Sequence, residues 1–317
     1  MPEPDLSVII VNWNTRELLA KCLRSLYPLP NGQEQKAGPS TFQDGFCSYK
    51  VFVVDNASSD GSAEMVRQRF PQVHLIQNEE NVGFARANNQ AISLSRGRYV
   101  LLLNSDTEVQ TGALETLVAF MDAHPRVGAV GPRLLNTDGS LQPSCHPMLT
   151  PGREFWRLLF LERLSPRATY PMHRWDEQTP RRVEVIKGAC LLLRREAVDQ
   201  VGLLDESYFM YTEEVDLCYR LALAGWECWW VPAAAVIHHG EASSRQVAQK
   251  MYLALYRSKI QFYRKYGGEP RANRFKNLLR LAYWPRLIAA AIGAPFSPSL
   301  SARARIYRQF LAELPGM

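Results

Sequence analysis

Short apolar, β-branched runs alternate with amphipathic stretches through the first 130 residues, and no other feature narrows the fold as far. Leu6–Val11 (LSVIIV) reads as a buried strand. Thr15–Leu26 follows as a helix, with Leu18, Leu19, Cys22, Leu23 and Leu26 at helical spacing. The rhythm repeats as strand Val51–Val54, helix Ser59–Phe70, strand Val73–Gln77, helix Ala85–Ser95, strand Tyr99–Leu103, helix Thr111–Ala123 and strand Val127–Val130. Such alternation specifies βαβ units and an α/β fold with a mostly parallel central sheet and flanking helices. The strands are continuously apolar, as expected of a sheet covered on both faces. With 46% hydrophobic residues, a disordered tail, a collagen-like repeat and a disulfide-stapled miniprotein are excluded.

Some segments break the rhythm. Pro28–Ser48, rich in Gly, Pro, Gln and Ser, reads as a surface loop inserted before the second strand. Asn136–Thr137–Asp138–Gly139 carries hairpin turn chemistry. Pro143–Arg182 has several prolines and little periodicity, the pattern of an irregular, mobile loop. Regularity returns with Val183–Leu193 as a strand, Glu213–Ala224 as a helix and Cys228–Val231 as a strand. A length of 317 residues suits one large domain or two small ones. The expected division is an α/β domain over residues 1–249 and a basic, amphipathic helical region over 250–317.

Charge follows the same division. Of the formal net charge of +6, residues 250–317 contribute +11 (thirteen Lys and Arg against two Glu), leaving −5 for residues 1–249. A basic tail calls for an anionic surface, and nucleic acid and membrane lipid both offer one. Leu278–Ile292 is apolar but interrupted by Arg280, Pro285 and Arg286, too short and charged to span a bilayer, which takes about 20 apolar residues. With Tyr283 and Trp284 beside arginines, it reads as a helix lying in a membrane interface; the plain alternative is an amphipathic helix packed on the domain. No nucleic-acid motif accompanies the basic residues, so nucleic acid is not the expected partner. Six scattered cysteines fit neither a disulfide framework nor paired zinc ligands, and the N-terminus shows no signal-peptide pattern. The expected location is cytoplasmic, peripheral on the inner face of the cell membrane.

Ligands of open α/β sheets bind beyond the carboxyl ends of the strands. There the sequence places Asn12–Trp13–Asn14, then Asp55–Asn56–Ala57–Ser58–Ser59–Asp60–Gly61, then Asn104–Ser105–Asp106. No GxGxxG follows a strand, which removes support for a dinucleotide. Asp106 could hold a divalent ion shared with a ligand diphosphate, because Mg²⁺ and Mn²⁺ combine one or two carboxylates with phosphates; it could equally serve a turn or cap. Asp55 could bond a base or ribose, or close an Asx turn, while Asp60 is expected to organise its loop and cap the next helix. Asp216 and Arg220 are i,i+4 partners. Glu213 and Glu214 suit a first helical turn, but Glu214 shares the face of Leu217, Cys218 and Leu221, so its carboxylate turns inward and could act as general base for a hydroxyl. His238 and His239 face opposite ways in a strand, so one at most could complete a metal site.

In order along the chain, SVIIVNWN, VVDNASSDGS, NEENVGFARANN, LLLNSDTEV, LLNTDGSLQPS, GACLLLRREAVDQVGLLDESYFMYTEEVDLCYRLALAGW and VIHHGEASS resemble family 2 glycosyltransferases of the GT-A fold, specifically their rhamnosyltransferase branch, over about residues 5–265. The resemblance implies a Rossmann-like nucleotide-diphospho-sugar transferase domain and an inverting transfer to a hydroxyl acceptor. By motif position it implies that Asp55, with Asn12 and Asn14, contacts the donor nucleoside. Asn104 and Asp106 occupy the DxD-type site, with Asp106 binding Mg²⁺ or Mn²⁺ on the donor diphosphate and His238 as a further metal ligand. Glu214 takes the second place of the family's Glu-Asp pair and is the implied base. Two departures stand out: Asn104 replaces the first acid, and Glu214 is a methylene longer than Asp, which leaves Glu213 as the alternative base.

The function expected from the resemblance is metal-dependent transfer of L-rhamnose from dTDP-L-rhamnose to a lipid-linked saccharide in cell-surface polysaccharide biosynthesis. The alternatives are the same enzyme with UDP-galactofuranose or a UDP-hexose, and a non-catalytic GT-A assembly partner. Acceptor contacts are expected in Pro143–Arg182 and near Lys187–Gly188 and Asp205.

Overall fold

The computed structural model describes residues 4–27, 42–44, 47–165, 167–240 and 248–317. Most of the Pro28–Ser48 insert, and Glu241–Ser244 after the histidines, lie outside the described residues. The chain divides into two units, the first made of Met1–Met148, Pro171–Phe209 and Glu213–Gln246, the second of Leu149–Tyr170, Met210–Thr212 and Val247–Met317. The second thus draws two short segments from before residue 249.

The strands are β1 (Leu6–Asn12), β2 (Phe42–Asp44), β3 (Cys47–Asp55), β4 (His74–Gln77), β5 (Tyr99–Asn104), β6 (Thr107–Val109), β7 (Val127–Leu135), β8 (Leu141–Gln142), β9 (Cys145–His146), β10 (Arg181–Val183), β11 (Val185–Ile186), β12 (Cys190–Arg194) and β13 (Glu227–His238). The helices are α1 (Arg16–Leu26), α2 (Ser62–Arg69), α3 (Phe84–Leu94), α4 (Ala113–Ala123), α5 (Pro151–Leu158), α6 (Arg195–Val201), α7 (Glu213–Leu223), α8 (Ala248–Gly293) and α9 (Pro298–Glu313). In the first unit the main sheet runs β10–β13–β7–β12–β5–β1–β3–β2, with β4 also on β3, β6 on β13 and β8 on β7. β4, β3, β1 and β5 are mutually parallel, β12 enters antiparallel between β5 and β7, and β13 is again parallel to β7.

Val8 and Ile10 of β1, Val51 and Val53 of β3, and Leu101 and Leu103 of β5 share one core with Leu19 and Leu23 of α1. Each such side chain contributes about 1.5–3 kcal/mol by leaving water. The parallel register sets Asn12 beside Asp55 and Val11 beside Asn104, so three polar strand ends reach one edge together.

Two expectations change. Val183–Leu193 is not one strand but β10, β11 and β12. Lys187 N–H bonds Ser144 O (2.8 Å) and Asn104 N–H bonds Ala189 O (3.0 Å), turning the chain at Gly188 between β11's small sheet with β9 and the centre of the main one. Ile186 fits there because Gly131 has no side chain; a Cβ would stand 2.4 Å from the Ile186 Cγ2. Pro143–Arg182 is not simply an irregular loop, since it holds β9, α5 and two 3₁₀ turns. Thr150 caps α5, its Oγ1 accepting from Arg153 N–H (3.2 Å), and Pro151 occupies the first turn, a start signal that spacing alone does not reveal.

In the second unit α8 is broken at Gly268, whose φ of 65° lies outside the helical region, two residues before Pro270. Tyr256, Tyr263, Phe275, Tyr283 and Phe310 form its aromatic interior. Glu154 of α5 is buried there against Lys259 (3.1 Å) and Arg157 (2.5 Å). Burial alone would raise its carboxyl, but the two cations hold it below the usual range.

Candidate active site

The loop after β1 is tied to the loop after β3. Asn12 Nδ2 donates to Asp55 Oδ1 (3.1 Å) and Ser58 Oγ (3.1 Å), while Ser58 N–H donates to Asp55 Oδ2 (3.1 Å). Asn12 and Asp55 are both fully enclosed, so Asn12 acts on the site by holding Asp55. Asn14 closes the rim, at φ 53°, accepting from Ser59 N–H at 2.8 Å. Asp60 accepts from Arg16 N–H (2.8 Å) and Ser62 N–H (3.0 Å), joining the starts of α1 and α2. Beyond β3 and β4 lies an open depression of about 490 Å³ lined by Ala57, Ser58, Gln77, Asn78 and Glu79. It has the position the strand-end rule assigns to a ligand.

The Asn104–Asp106 turn is held from both sides. Thr107 Oγ1 donates to Asn104 O (2.7 Å), and Ser105 Oγ meets Thr15 Oγ1 (2.9 Å) in the β1 loop. β6 pairs antiparallel with β13, setting His238 opposite Thr107. Asp106 Oδ1 is then 3.2 Å from His238 Nε2, and both side chains are largely buried. His239 points elsewhere, its Nε2 meeting Glu108 Oε1 at 2.7 Å.

Glu213 and Glu214 open α7 in different surroundings. Glu213 is buried, with Oε2 lacking a hydrogen-bond partner among the described residues. Burial first, then the charge of Glu214, pushes its carboxyl well above the usual range, so the fold favours the neutral form of Glu213. Glu214 is only partly buried, and a Cβ at Gly188 would touch the Glu214 Cβ at 3.9 Å. Gly188 adjoins Ala189, whose carbonyl receives Asn104 N–H, so this backbone link carries Glu214 to the edge that holds Asp106. Asp216 instead binds Arg220 (2.8 Å), which also donates to Val201 O, Gly202 O and Leu203 O. Asp205 accepts from Ser207 N–H at 3.0 Å in a local turn.

The glycosyl transferase family 2 model matches residues 7–202. The chain belongs to that family. An N-acetylglucosaminyl-diphospho-decaprenol L-rhamnosyltransferase of Mycobacterium tuberculosis is 36% identical over 202 residues, covering 60% of this chain; the chain spans 66% of that relative, just under two thirds of its length. Rhamnosyltransferase WbbL of Escherichia coli K12 is 37% identical over 70 residues, 22% of this chain and 26% of that one. The mannosyltransferase PcManGT of Pyrobaculum calidifontis, solved with GDP-Man and Mn²⁺, has a TM-score of 0.53 at 19% identity, covering 99% of this chain and 85% of that one. That likeness shows the GT-A fold.

Within this family 2 chain, several residues that matter to the site were not singled out by sequence. Asn89 clamps the backbone of Leu204, donating to its O (2.8 Å) and accepting from its N–H (3.2 Å), and so fixes the loop ahead of α7. Asn56 Oδ1 accepts from Asn78 Nδ2 (3.1 Å) and Val82 N–H (3.0 Å). For Asn89 the available signal was the Asn88–Asn89 pair inside α3, where Asn has low intrinsic propensity; Asn56 stood in the Asp55–Gly61 stretch without a role of its own.

No cluster of three His, Cys, Asp or Glu side chains suited to a metal occurs among the described residues. Asp106 and His238 make a pair. One carboxylate and one imidazole fit a cation that completes its coordination with a substrate diphosphate.

Proposed function

We propose that the chain is an inverting glycosyltransferase that moves L-rhamnose from dTDP-L-rhamnose to a hydroxyl of a lipid-linked saccharide in cell-surface polysaccharide biosynthesis. The observation that carries this reading is the Asp106–His238 pair at the strand edge that Glu214 also approaches. The two rhamnosyltransferase relatives favour rhamnose, and the diphospho-decaprenol in the name of one favours a lipid-linked acceptor.

Asp55, enclosed and held by Asn12 beside the Asn14 rim, acts on the nucleoside through Ser58, from whose N–H it accepts and which lines the neighbouring depression. A cation such as Mg²⁺ or Mn²⁺, bound by Asp106 and His238, would neutralise charge on the departing diphosphate. Asn104 fixes the turn that presents Asp106. Glu214 accepts the acceptor hydroxyl proton as that oxygen bonds to the anomeric carbon. The carbon–oxygen bond to the diphosphate breaks on the opposite face, its electron pair leaving with the nucleoside diphosphate, so one displacement inverts the centre. Glycosidases need a carboxylic acid for their leaving group; a diphosphate leaves without one. Glu213, whose neutral form the fold favours, is the poorer fit to the base role.

We assign catalysis to the α/β region, residues 1–249, and contact with an anionic membrane surface to the basic region, residues 250–317. Leu281, Trp284, Ile288 and Ile292 recur at three- and four-residue steps on α8, each more than half exposed. Among the described residues, nine of the twelve exposed large hydrophobic side chains belong to the second unit. Arg286 stacks over Phe160 (4.8 Å), so the turn after α5 adjoins this stripe. An apolar stripe flanked by arginines suits adsorption to anionic lipid. No helix among the described residues is long and apolar enough to cross a membrane. The enzyme would then be cytoplasmic and peripheral on the inner membrane face, with no role for nucleic acid.

A panel of dTDP-L-rhamnose, UDP-galactofuranose and UDP-glucose with Mn²⁺ or Mg²⁺, read by nucleotide release, tests the donor. Preferential turnover of dTDP-L-rhamnose is expected. Selective turnover of a UDP sugar would reassign the donor, and no turnover of any would favour an assembly role.

A further inference from the structure

The geometry points to Gln142 as a positioning residue that fixes the tautomer of His238 and so presents the Nε2 lone pair to a divalent cation, an inference that rests on reading Asp106 and His238 as the metal pair. Gln142 ends β8, on the return arm of the hairpin that turns at Asn136–Gly139. Two acceptors orient its amide: Nε2–H groups donate to Asn136 Oδ1 (2.9 Å) and to the backbone O of His238 (3.3 Å). The amide oxygen is thereby left against His238 Nδ1 at 2.6 Å. A carbonyl oxygen only accepts, so Nδ1 carries the hydrogen.

The other side of the ring agrees. Asn104 Nδ2, a donor, lies 3.4 Å from His238 Nε2, which in the Nδ1–H form is free to accept it. The Nε2 lone pair and the Asp106 Oδ1 stand 3.2 Å apart. In the Nδ1–H form two electron-rich atoms face each other there, and a shared cation turns their repulsion into two coordinate bonds. Ligating histidines generally donate their other N–H to a fixed acceptor, which sets ring orientation and raises basicity. Here the acceptor is an amide clamped in turn by Asn136, whose Nδ2 donates to Ser140 Oγ (2.9 Å) and whose N–H donates to Ser140 O (2.8 Å). Gly139, at φ 81°, lets that turn close. The Asn-Thr-Asp-Gly turn thus does more than reverse the chain; it orients the amide that orients the imidazole.

The test combines two readouts on the full chain. Nitrogen-15 NMR of the metal-free protein reports the His238 tautomer directly, and electron paramagnetic resonance of free Mn²⁺ in the presence of dTDP reports metal affinity. Wild type is expected to show the Nδ1–H form. Gln142→Leu is expected to lose that preference and bind Mn²⁺ about 10–100-fold more weakly, with dTDP affinity in EDTA and thermal midpoint unchanged. Gln142→Glu, which still accepts from Nδ1–H but gives up both amide donors, is expected to keep the Nδ1–H form and to lose less Mn²⁺ affinity than Gln142→Leu. An Nε2–H ring in wild type, equal Mn²⁺ affinity in Gln142→Leu, or equal losses in both variants would overturn the role of Gln142 alone. Wild type that binds no Mn²⁺ with dTDP or UDP would overturn the metal reading as well.

Discussion

His238 Nε2 lies 3.2 Å from Asp106 Oδ1, and backbone pairing sets that distance. β6 follows the Asn104–Asp106 turn directly and pairs antiparallel with the end of β13, and His239 N–H bonds Asp106 O at 2.9 Å. The two side chains therefore meet without relying on a flexible loop, which is what preorganised electrostatic stabilisation requires. The same turn holds a single carboxylate, with Asn104 at the other acid's place, so the proposed metal site takes the imidazole as its second protein donor.

Glu214→Gln keeps the shape of the side chain and removes its basicity. Transfer to acceptor is expected to fall by about 10²–10⁴-fold, while dTDP binding, measured by calorimetry, stays unchanged. Undiminished transfer would move the base to Glu213 or Asp216.

Glu213 makes a pH-dependent contribution with a definite sign. Its folded pKa is raised, by burial and then by Glu214, so the neutral form is favoured in the fold. The stability tied to that form is complete below the unfolded pKa and is lost as pH rises towards the folded value. Wild type is therefore expected to lose up to about 1.4 kcal/mol per pH unit relative to Glu213→Gln over that window. Urea unfolding of both proteins between pH 5 and 8 measures it; parallel stability curves would show that Glu213 ionises normally.

Gly83→Ala is expected to destabilise the first unit by about 1–3 kcal/mol. Gly83 has φ 86°, and a Cβ there would stand 2.6 Å from Phe209 O, the atom that accepts from Phe84 N–H. Denaturant unfolding gives the value. A change below about 0.5 kcal/mol would mean that the Phe209 backbone can move aside.

Trp284→Asp with Ile288→Asp changes two exposed side chains that have no place in the aromatic interior. Binding to anionic liposomes, followed by co-sedimentation, is expected to weaken by about tenfold or more, since each buried apolar side chain is worth about 1.5–3 kcal/mol. Truncation after Gly267 is a poorer test, because it strips Phe275, Tyr283 and Phe310 from Tyr256 and Tyr263. Full recovery of the double variant with liposomes would remove the stripe from the binding surface.

The parallel half of the sheet was legible because β1, β3 and β5 are buried on both faces and read as unbroken apolar runs. The β7–β8 hairpin was legible from its Asn136–Gly139 turn, but β6 and β9 were not, since two or three residues carry no periodicity, yet β6 is what sets His238 beside Asp106. The break at Lys187–Ala189 was hidden inside an apolar run; its cause is a backbone partner distant in sequence, Ser144. Acidic positions at strand ends could be located from sequence. Burial could not, and it decides that Asn12 supports Asp55 from within and that the Glu213 carboxyl is pushed towards its neutral form.

The most direct measurement is release of dTDP from dTDP-L-rhamnose, with Mn²⁺ and a lipid-linked saccharide acceptor, by wild type and Asp106→Ala. The account predicts rapid release by wild type, abolished by EDTA, with loss of at least about 10²-fold in the variant and a product of anomeric configuration opposite to the donor. Release by Asp106→Ala at the wild-type rate, with or without EDTA, would contradict it.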